Sequence, residues 1–297
     1  MKKLKDCIAE AGQKGVAIGH FNISDLAGLK GIFEAAQEVS KSQNLEMPII
    51  IGVSDGERKF IGLKNIVDLV KNLQEEFNYP IFLNADHVKN INDVKEIAEA
   101  GFDSIMFDAG SLPFEQNVAM TKKAVEIIKS VNPEILAEGE IGYLGVGSEV
   151  IKEISENVIT EENMTKPEQA AIFVKETGID LLAPAVGNIH GIVVTQTMTK
   201  NPPLDIPRLK NIKTAVNIPL VLHGGSGISD EDFKAAIKAG VSIIHINTEI
   251  RLAWRNDLEK AFKENPQEIA PYKLLVESVE EIKLVVEKKL KLFNNLS

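Results

Sequence analysis

The sequence predicts an α/β protein, a (β/α)8 TIM barrel, on three observations. Eight short apolar, β-branched runs recur about every 20 to 45 residues with amphipathic segments between them. Several of these runs are apolar almost throughout, as expected of strands buried on both faces and paired in parallel. The last residues of each run are polar or glycine, and a barrel of this kind builds its active site at the C-terminal strand ends. An open doubly wound sheet would place a ligand at one switch point and would not gather residues from all eight strands.

The elements follow in order. The opening MKKLKDCIAEAGQKG has two lysines directly after Met1 but no apolar signal core, and it reads as an amphipathic helix. VAIGHFN (16–22) is the first strand, ending at Asn22, with His20 inside it as a packing residue. A helix over Asp25–Ser40 carries Leu26, Leu29, Ile32, Phe33 and Ala36 at helical spacing. PIIIGVS (48–54) ends at Ser54, and IFLNADH (81–87) ends at the pair Asp86–His87, ahead of a helix starting near Asn90. SIMFDAG (104–110) brings Asp108; ILAEGEIG (135–142) brings Glu138 and Glu140, two apart and so on one side of the strand. The polar, glycine-bearing stretch 143–166 that follows is expected to be a mobile loop. LLAPAVG (181–187) leads to His190, and PLVLHG (219–224) runs through HGGSG into a helix over Asp230–Ala239 with Ser229 as its cap. IIHINT (243–248) ends in Asn247–Thr248 with His245 inside it, and a Lys- and Glu-rich helix over Pro271–Phe293 closes the outer ring. Residues 1–297 are thus read as one barrel domain.

Composition narrows the function. With 44% hydrophobic and 26% charged residues the 297-residue chain is that of a soluble globular protein. A net charge of −10 argues against nucleic acid as a partner, since that needs a basic face. No apolar stretch approaches the ~20 residues of a membrane span. The single cysteine, Cys7, rules out an internal disulfide and fits a reducing compartment, so a cytoplasmic location is expected.

The strand ends carry the chemistry. Three of the five histidines, His87, His190 and His223, fall at or just beyond strand ends from different parts of the chain. If the strands share one sheet, three imidazoles meet at its rim, and three protein ligands with an open fourth position make a catalytic zinc site. Asp86 beside His87 is placed to carry a proton, against the plainer reading of a helix cap. Glu138 or Glu140 can ligate the ion or orient a histidine, against the plainer reading of an in-barrel ion pair. HGGSG, with Asn247–Thr248 next door, suits a phosphate between the loops after strands seven and eight. His20 and His245 read as packing or supporting residues.

These motifs, FN at 21–22, DH at 86–87, GFDSIMFDAGSLPFEQN (101–117), AEGEIG (137–142), GNIHG (187–191), LVLHGGSG (220–227) and INTEIRLAW (246–254), resemble the class II, zinc-dependent fructose-bisphosphate aldolase family, tagatose-bisphosphate aldolases included. The resemblance covers nearly the whole chain. It implies one catalytic Zn2+ on His87, His190 and His223, with Glu140 touching the metal in some states and room for a second divalent or monovalent cation. It implies Asp86 as general base, and Gly191, Gly224, Ser226 and Thr248 around the phosphate of the ketone half. Asn22 and Asn247 would contact the reacting triose; Ser54 and Arg251 would take the far phosphate; the assembly would be a homodimer or homotetramer. Glu149 or Glu153 in the 143–166 loop is a candidate proton carrier. The chain departs from the pattern with His245 where the family has Asn, Ala270-Pro271-Tyr272 where it has Asp-Pro-Arg, and His20 in place of a small residue. The activity implied is reversible cleavage of a ketose bisphosphate, foremost fructose 1,6-bisphosphate, to dihydroxyacetone phosphate and glyceraldehyde 3-phosphate. The alternatives are an aldolase or epimerase for tagatose 1,6-bisphosphate or another sugar phosphate, and a non-catalytic phosphosugar-binding barrel. No lysine falls at a strand end, which argues against imine chemistry.

Overall fold

The computed structural model describes residues 2–145, 147–152, 159–194 and 201–296. Its strands are β1 (Ile18–Asn22), β2 (Ile49–Val53), β3 (Ile81–Val88), β4 (Ser104–Phe107), β5 (Leu136–Ile141), β6 (Val150–Ile151), β7 (Leu181–Pro184), β8 (Ile192–Val193), β9 (Leu220–Leu222) and β10 (Val241–Ile246). All but β6 and β8 close into an eight-stranded parallel barrel in the order β1-β10-β9-β7-β5-β4-β3-β2. The short parallel pair β6–β8 stands apart from it. It joins the 143–166 segment to the chain just after His190, a pairing between two stretches too short to read from the sequence.

The described helices are α1 (Leu4–Lys14), α2 (Leu26–Gln43), α3 (Asp55–Ile61), α4 (Leu63–Phe77), α5 (Val94–Ala100), α6 (Phe114–Val131), α7 (Pro167–Thr177), α8 (Ile206–Val216), α9 (Asp230–Lys238), α10 (Thr248–Glu264), α11 (Pro271–Leu274) and α12 (Val276–Phe293). The caps are where residue type puts them: Asp25 accepts from the Gly28 N–H at 2.8 Å and Ser229 from that of Asp232 at 3.2 Å. Several boundaries differ from expectation, three of them with a local cause. The helix after β3 starts at Val94, because Asn90–Asp93 close a turn first, the Asp93 N–H reaching the Asn90 carbonyl at 3.1 Å. The last barrel strand ends at Ile246; Asn247, at φ −126° and ψ −60°, has left strand geometry and Thr248 opens α10. The C-terminal helix is two helices, bent where Leu275 takes φ −91° and ψ −3°, between the usual helical and extended regions. α12 packs against both α2 and α10, so it does close the outer ring.

Every barrel strand is buried, and its side chains alternate between two cores. Outward residues such as Phe21, Ile49, Ile51, Ile81 and Leu83 pack under the helices. Inward residues Ile18, Ile50, Phe82, Leu136 and Ile243 form the floor, which α1 seals with Leu4, Cys7, Ile8 and Ala11.

Candidate active site

Going up the inside of the barrel two residues at a time, the side chains change from apolar to polar. Above the floor lie His20, Asn84, Glu138 and His245; above those, Asn22, Asp86, Glu140 and Asn247. In the middle layer His20 and His245 stack with ring centroids 3.4 Å apart and planes 4° apart, and His20 Nε2 lies 3.3 Å from Asn84 Oδ1. Gly52 makes this possible, since a Cβ there would stand 2.0 Å from His20 Cε1.

The upper layer opens on a cavity of about 530 Å3. Asp86 and His87 both reach it because His87 takes φ 49° where the β3–β4 register shifts, so the chain kinks and neighbouring side chains no longer oppose each other. A left-handed conformation at a non-glycine residue costs about 1–2 kcal/mol, which marks the kink as a strained, functional one. His87, Glu140, His190 and His223 each offer one ligand atom, and these atoms all lie within 4.8 Å of one another.

The donor set fits a metal ion. Each histidine has one ring nitrogen tied outside the cluster: His87 Nδ1 to Asp108 Oδ2 at 2.9 Å, His190 Nδ1 to the Gly145 carbonyl at 3.4 Å, and His223 Nε2 to Glu138 Oε1 at 2.7 Å. The other nitrogen of each is left for an ion, the arrangement in which an outer partner fixes tautomer and ring orientation. Of the two acids, Glu138 therefore orients and Glu140 joins the donor cluster. Glu140 Oε2 is buried and has no hydrogen-bond partner.

The electrostatics agree. Burial, helped by the neighbouring His87, pushes His190 and His223 down to about 3, keeping both as neutral imidazoles. Burial and the nearby Asp108 push Glu140 up to about 8. Burial opposes charge on His87 too, but Asp86 and the Asp108 hydrogen bond outweigh it and lift His87 to about 10. A second trio, His20, Asp86 and His245, is also close together, but two cofacial imidazoles present parallel lone pairs that do not converge on one ion.

Asp86 is buried at the centre of the wall. Its Oδ2 accepts from Asn22 Nδ2 at 2.9 Å, while Oδ1 has no hydrogen bond and lies 3.6 Å from His245 Nδ1 and 3.8 Å from His87 Nε2. Burial would raise this carboxyl, but His87 and His245 hold it well below the usual range. His245, which departs from the expected Asn, therefore lines the cavity directly beside the carboxylate.

On one side of the cavity the loops after β7, β9 and β10 bring Gly191, Gly224, Ser226, Asn247 and Thr248 together. Gly224 has φ 61°, and a Cβ on it would stand 2.2 Å from the Ile189 carbonyl. Ser226 Oγ accepts from the Asn247 and Glu249 N–H groups at 3.3 and 3.2 Å, which leaves its proton to donate. On the other side, Ser54 stands at the start of α3, and Arg251 reaches across to Glu57 Oε1 at 2.7 Å. Tyr272 is exposed on α11 and does not line the cavity. Glu149 is exposed at the foot of β6, outside the lining, and Glu153 lies outside the described residues.

Three residues here were not singled out from the sequence. Buried Asn201 ties the Gly191 and Ser226 loops together, donating to the Gly191 and Ser226 carbonyls at 2.8 Å each and accepting from Val193 N–H at 2.9 Å. Glu57 accepts from Asn22, from the Ser54 N–H and from Arg251; its signal was the Ser-x-x-Glu spacing of a capping box directly after a strand. Arg58, buried on the cavity wall, had no such signal.

A family model described as Fructose-bisphosphate aldolase class-II matches residues 2–296. A fructose-bisphosphate aldolase of Geobacillus stearothermophilus is 34% identical over 295 residues, spanning 98% of this chain and 96% of that protein. One from Staphylococcus aureus is 33% identical over 293 residues, spanning 98% and 96%. Among solved structures, the YdjI aldolase from Escherichia coli K12 superposes with a TM-score of 0.79 at 31% identity, over 98% of this chain and 96% of that one.

Proposed function

The chain belongs to the class II fructose-bisphosphate aldolase family, a metal-dependent group of carbon–carbon lyases, and on that premise we propose that it cleaves fructose 1,6-bisphosphate reversibly to dihydroxyacetone phosphate and glyceraldehyde 3-phosphate, with one zinc ion at His87, His190 and His223 and Glu140 beside them. The observation that carries this reading is the convergence of those four donor atoms within 4.8 Å of one another, next to a buried carboxylate with an unbonded oxygen.

Held by His87, His190, His223 and Glu140, a divalent ion would supply Lewis acidity toward the ketone and its developing charge. Asp86 takes the C4 hydroxyl proton in cleavage and returns it in condensation. Asn22 holds Asp86 Oδ2, which leaves Oδ1 as the oxygen that meets that proton. Asp108 and Glu138 hold the outer nitrogens of His87 and His223 and so keep the donors aimed. Gly191, Gly224, Ser226 and Thr248 bind the phosphate of the ketone half, Asn247 its triose, and Ser54 and Arg251 border the far end.

The reading extends to a cytoplasmic homodimer or homotetramer. Among the described helices none is long and apolar enough to cross a membrane. Leu26 and Phe60, 62% and 80% exposed, line a surface groove with Leu275 that a second copy would cover.

The test is metal analysis with a cleavage assay. About one zinc per chain is expected, with activity lost on chelation and restored by zinc, and no substrate trapped on the protein by borohydride. Trapping would refute the reading. Fructose and tagatose 1,6-bisphosphates assayed side by side decide the C4 configuration.

A further inference from the structure

We infer that Arg58 holds the anionic far end of the substrate, the distal phosphate of a ketose bisphosphate, and so sets this site's preference for a bisphosphate over a monophosphate. The inference rests on the aldolase reading and replaces Arg251 with Arg58 as the distal cation.

Position is the first argument. In the ring β1-β10-β9-β7-β5-β4-β3-β2, β7 and β9 stand opposite β2 and β3. The first pair carries the Gly191 and Gly224 loops; the second carries α3 and Asp86. A sugar anchored by one phosphate at those glycine loops, and crossing the mouth past the metal donors and Asp86, ends against α3.

The second argument is the state of the Arg58 guanidinium. Arg58 is only 5% exposed, yet it lines the cavity. Its Nη1 donates to the Val53 and Asp86 carbonyls at 2.5 and 2.9 Å. A guanidinium has five N–H donors, and those on Nε and Nη2 make no hydrogen bond among the described residues. The nearest carboxylate oxygen, on half-exposed Asp55, is 3.9 Å from Nη2, and Asp55 is engaged by Lys59 at 2.8 Å. A buried cation whose one ion pair is a 3.9 Å contact to a half-exposed carboxylate is incompletely compensated. A phosphate arriving with paired oxygens meets both the charge and the fork of donors.

The third argument is that Arg251 is already occupied. Its Nη2 lies 2.7 Å from Glu57 Oε1, and Glu57 is itself 5% exposed. Turning Arg251 to a phosphate would leave that buried carboxylate without its cation.

The experiment compares kcat/KM for fructose 1,6-bisphosphate and fructose 1-phosphate in the wild type, Arg58→Met, Arg58→Lys and Arg251→Met. Arg58→Met should lower the bisphosphate-to-monophosphate ratio about 30-fold, chiefly through KM, as expected for one charge-assisted contact. Arg58→Lys should restore part of the ratio, and Arg251→Met should change it less than about 3-fold. An equal loss on both sugars in Arg58→Met would mean that Arg58 only supports the Asp86 backbone, and a larger ratio change in Arg251→Met would return the role to Arg251; either overturns the inference. Calorimetric affinities of the two sugars for Asp86→Asn, with and without Arg58→Met, read the same ratio without turnover. If neither sugar is cleaved, the aldolase reading fails, while the affinity ratio still decides the role of Arg58.

Discussion

At the floor of the barrel Ile18, Phe82, Leu136 and Ile243 meet the apolar face of α1, whereas four residues further along the same strands Asn22, Asp86, Glu140 and Asn247 face the cavity. The floor is packed from apolar strand residues against Leu4, Cys7, Ile8 and Ala11 of α1. The buried side-chain atoms without a hydrogen-bond partner, on His20, Asp86, Glu140, His245 and Asn247, all lie in the layers above it. Each such atom costs about 1–3 kcal/mol. One end of the cylinder therefore stabilises the fold and the other draws on that stability to hold groups ready for an ion and a substrate.

The comparison can be broken from either end. The largest effect is expected at the mouth: Asp86→Asn should lower kcat about 10²- to 10⁴-fold, the usual worth of a general base, with zinc content and thermal stability retained. Steady-state kinetics beside metal analysis checks this, and unchanged turnover would remove Asp86 from the chemistry. Next comes Phe82→Ala at the floor, which should cost about 3–5 kcal/mol of stability in denaturant unfolding while the folded fraction keeps its kcat. Glu138→Gln, between the two ends, should weaken zinc affinity about 10- to 100-fold by loosening His223, read by competition with a chelator.

The smallest effect separates the ends by pH. Asp103, at the lower end of β4, accepts the Leu83 N–H at 2.8 Å, yet burial outweighs that bond and pushes it up to about 6. A carboxyl with a folded value above its unfolded one, about 4, binds more protons in the folded state. Its contribution is therefore largest below about pH 4 and falls away as pH rises towards 6. Asp103→Asn should flatten this part of the stability curve relative to wild type, with no change in zinc affinity.

Much of this could be read along the chain. The recurring apolar runs and their polar ends located the barrel, the three histidines, Asp86 and the HGGSG turn. It could not separate Glu138 from Glu140, because both share one face of β5 and only the distance to His223 Nε2 distinguishes them. The stacking of His20 on His245 was equally hidden, since β1 and β10 become neighbours only when the barrel closes. Arg58 follows the Ser54–Glu57 capping box, a signal for the helix start and not for a cation at the cavity, and its role depends on which carboxylates its neighbours have already taken.

The sequence by itself determined the number of barrel strands, that Glu138 and Glu140 share one face, and that imidazoles and acids collect at one rim, because apolar runs, their polar ends and side-chain alternation are local properties of a strand. Tertiary structure alone decided which nitrogen of each histidine is free, which acid joins the donors, and which arginine keeps unbonded N–H donors at the cavity. Those outcomes depend on distances across a closed ring, between residues far apart in the chain.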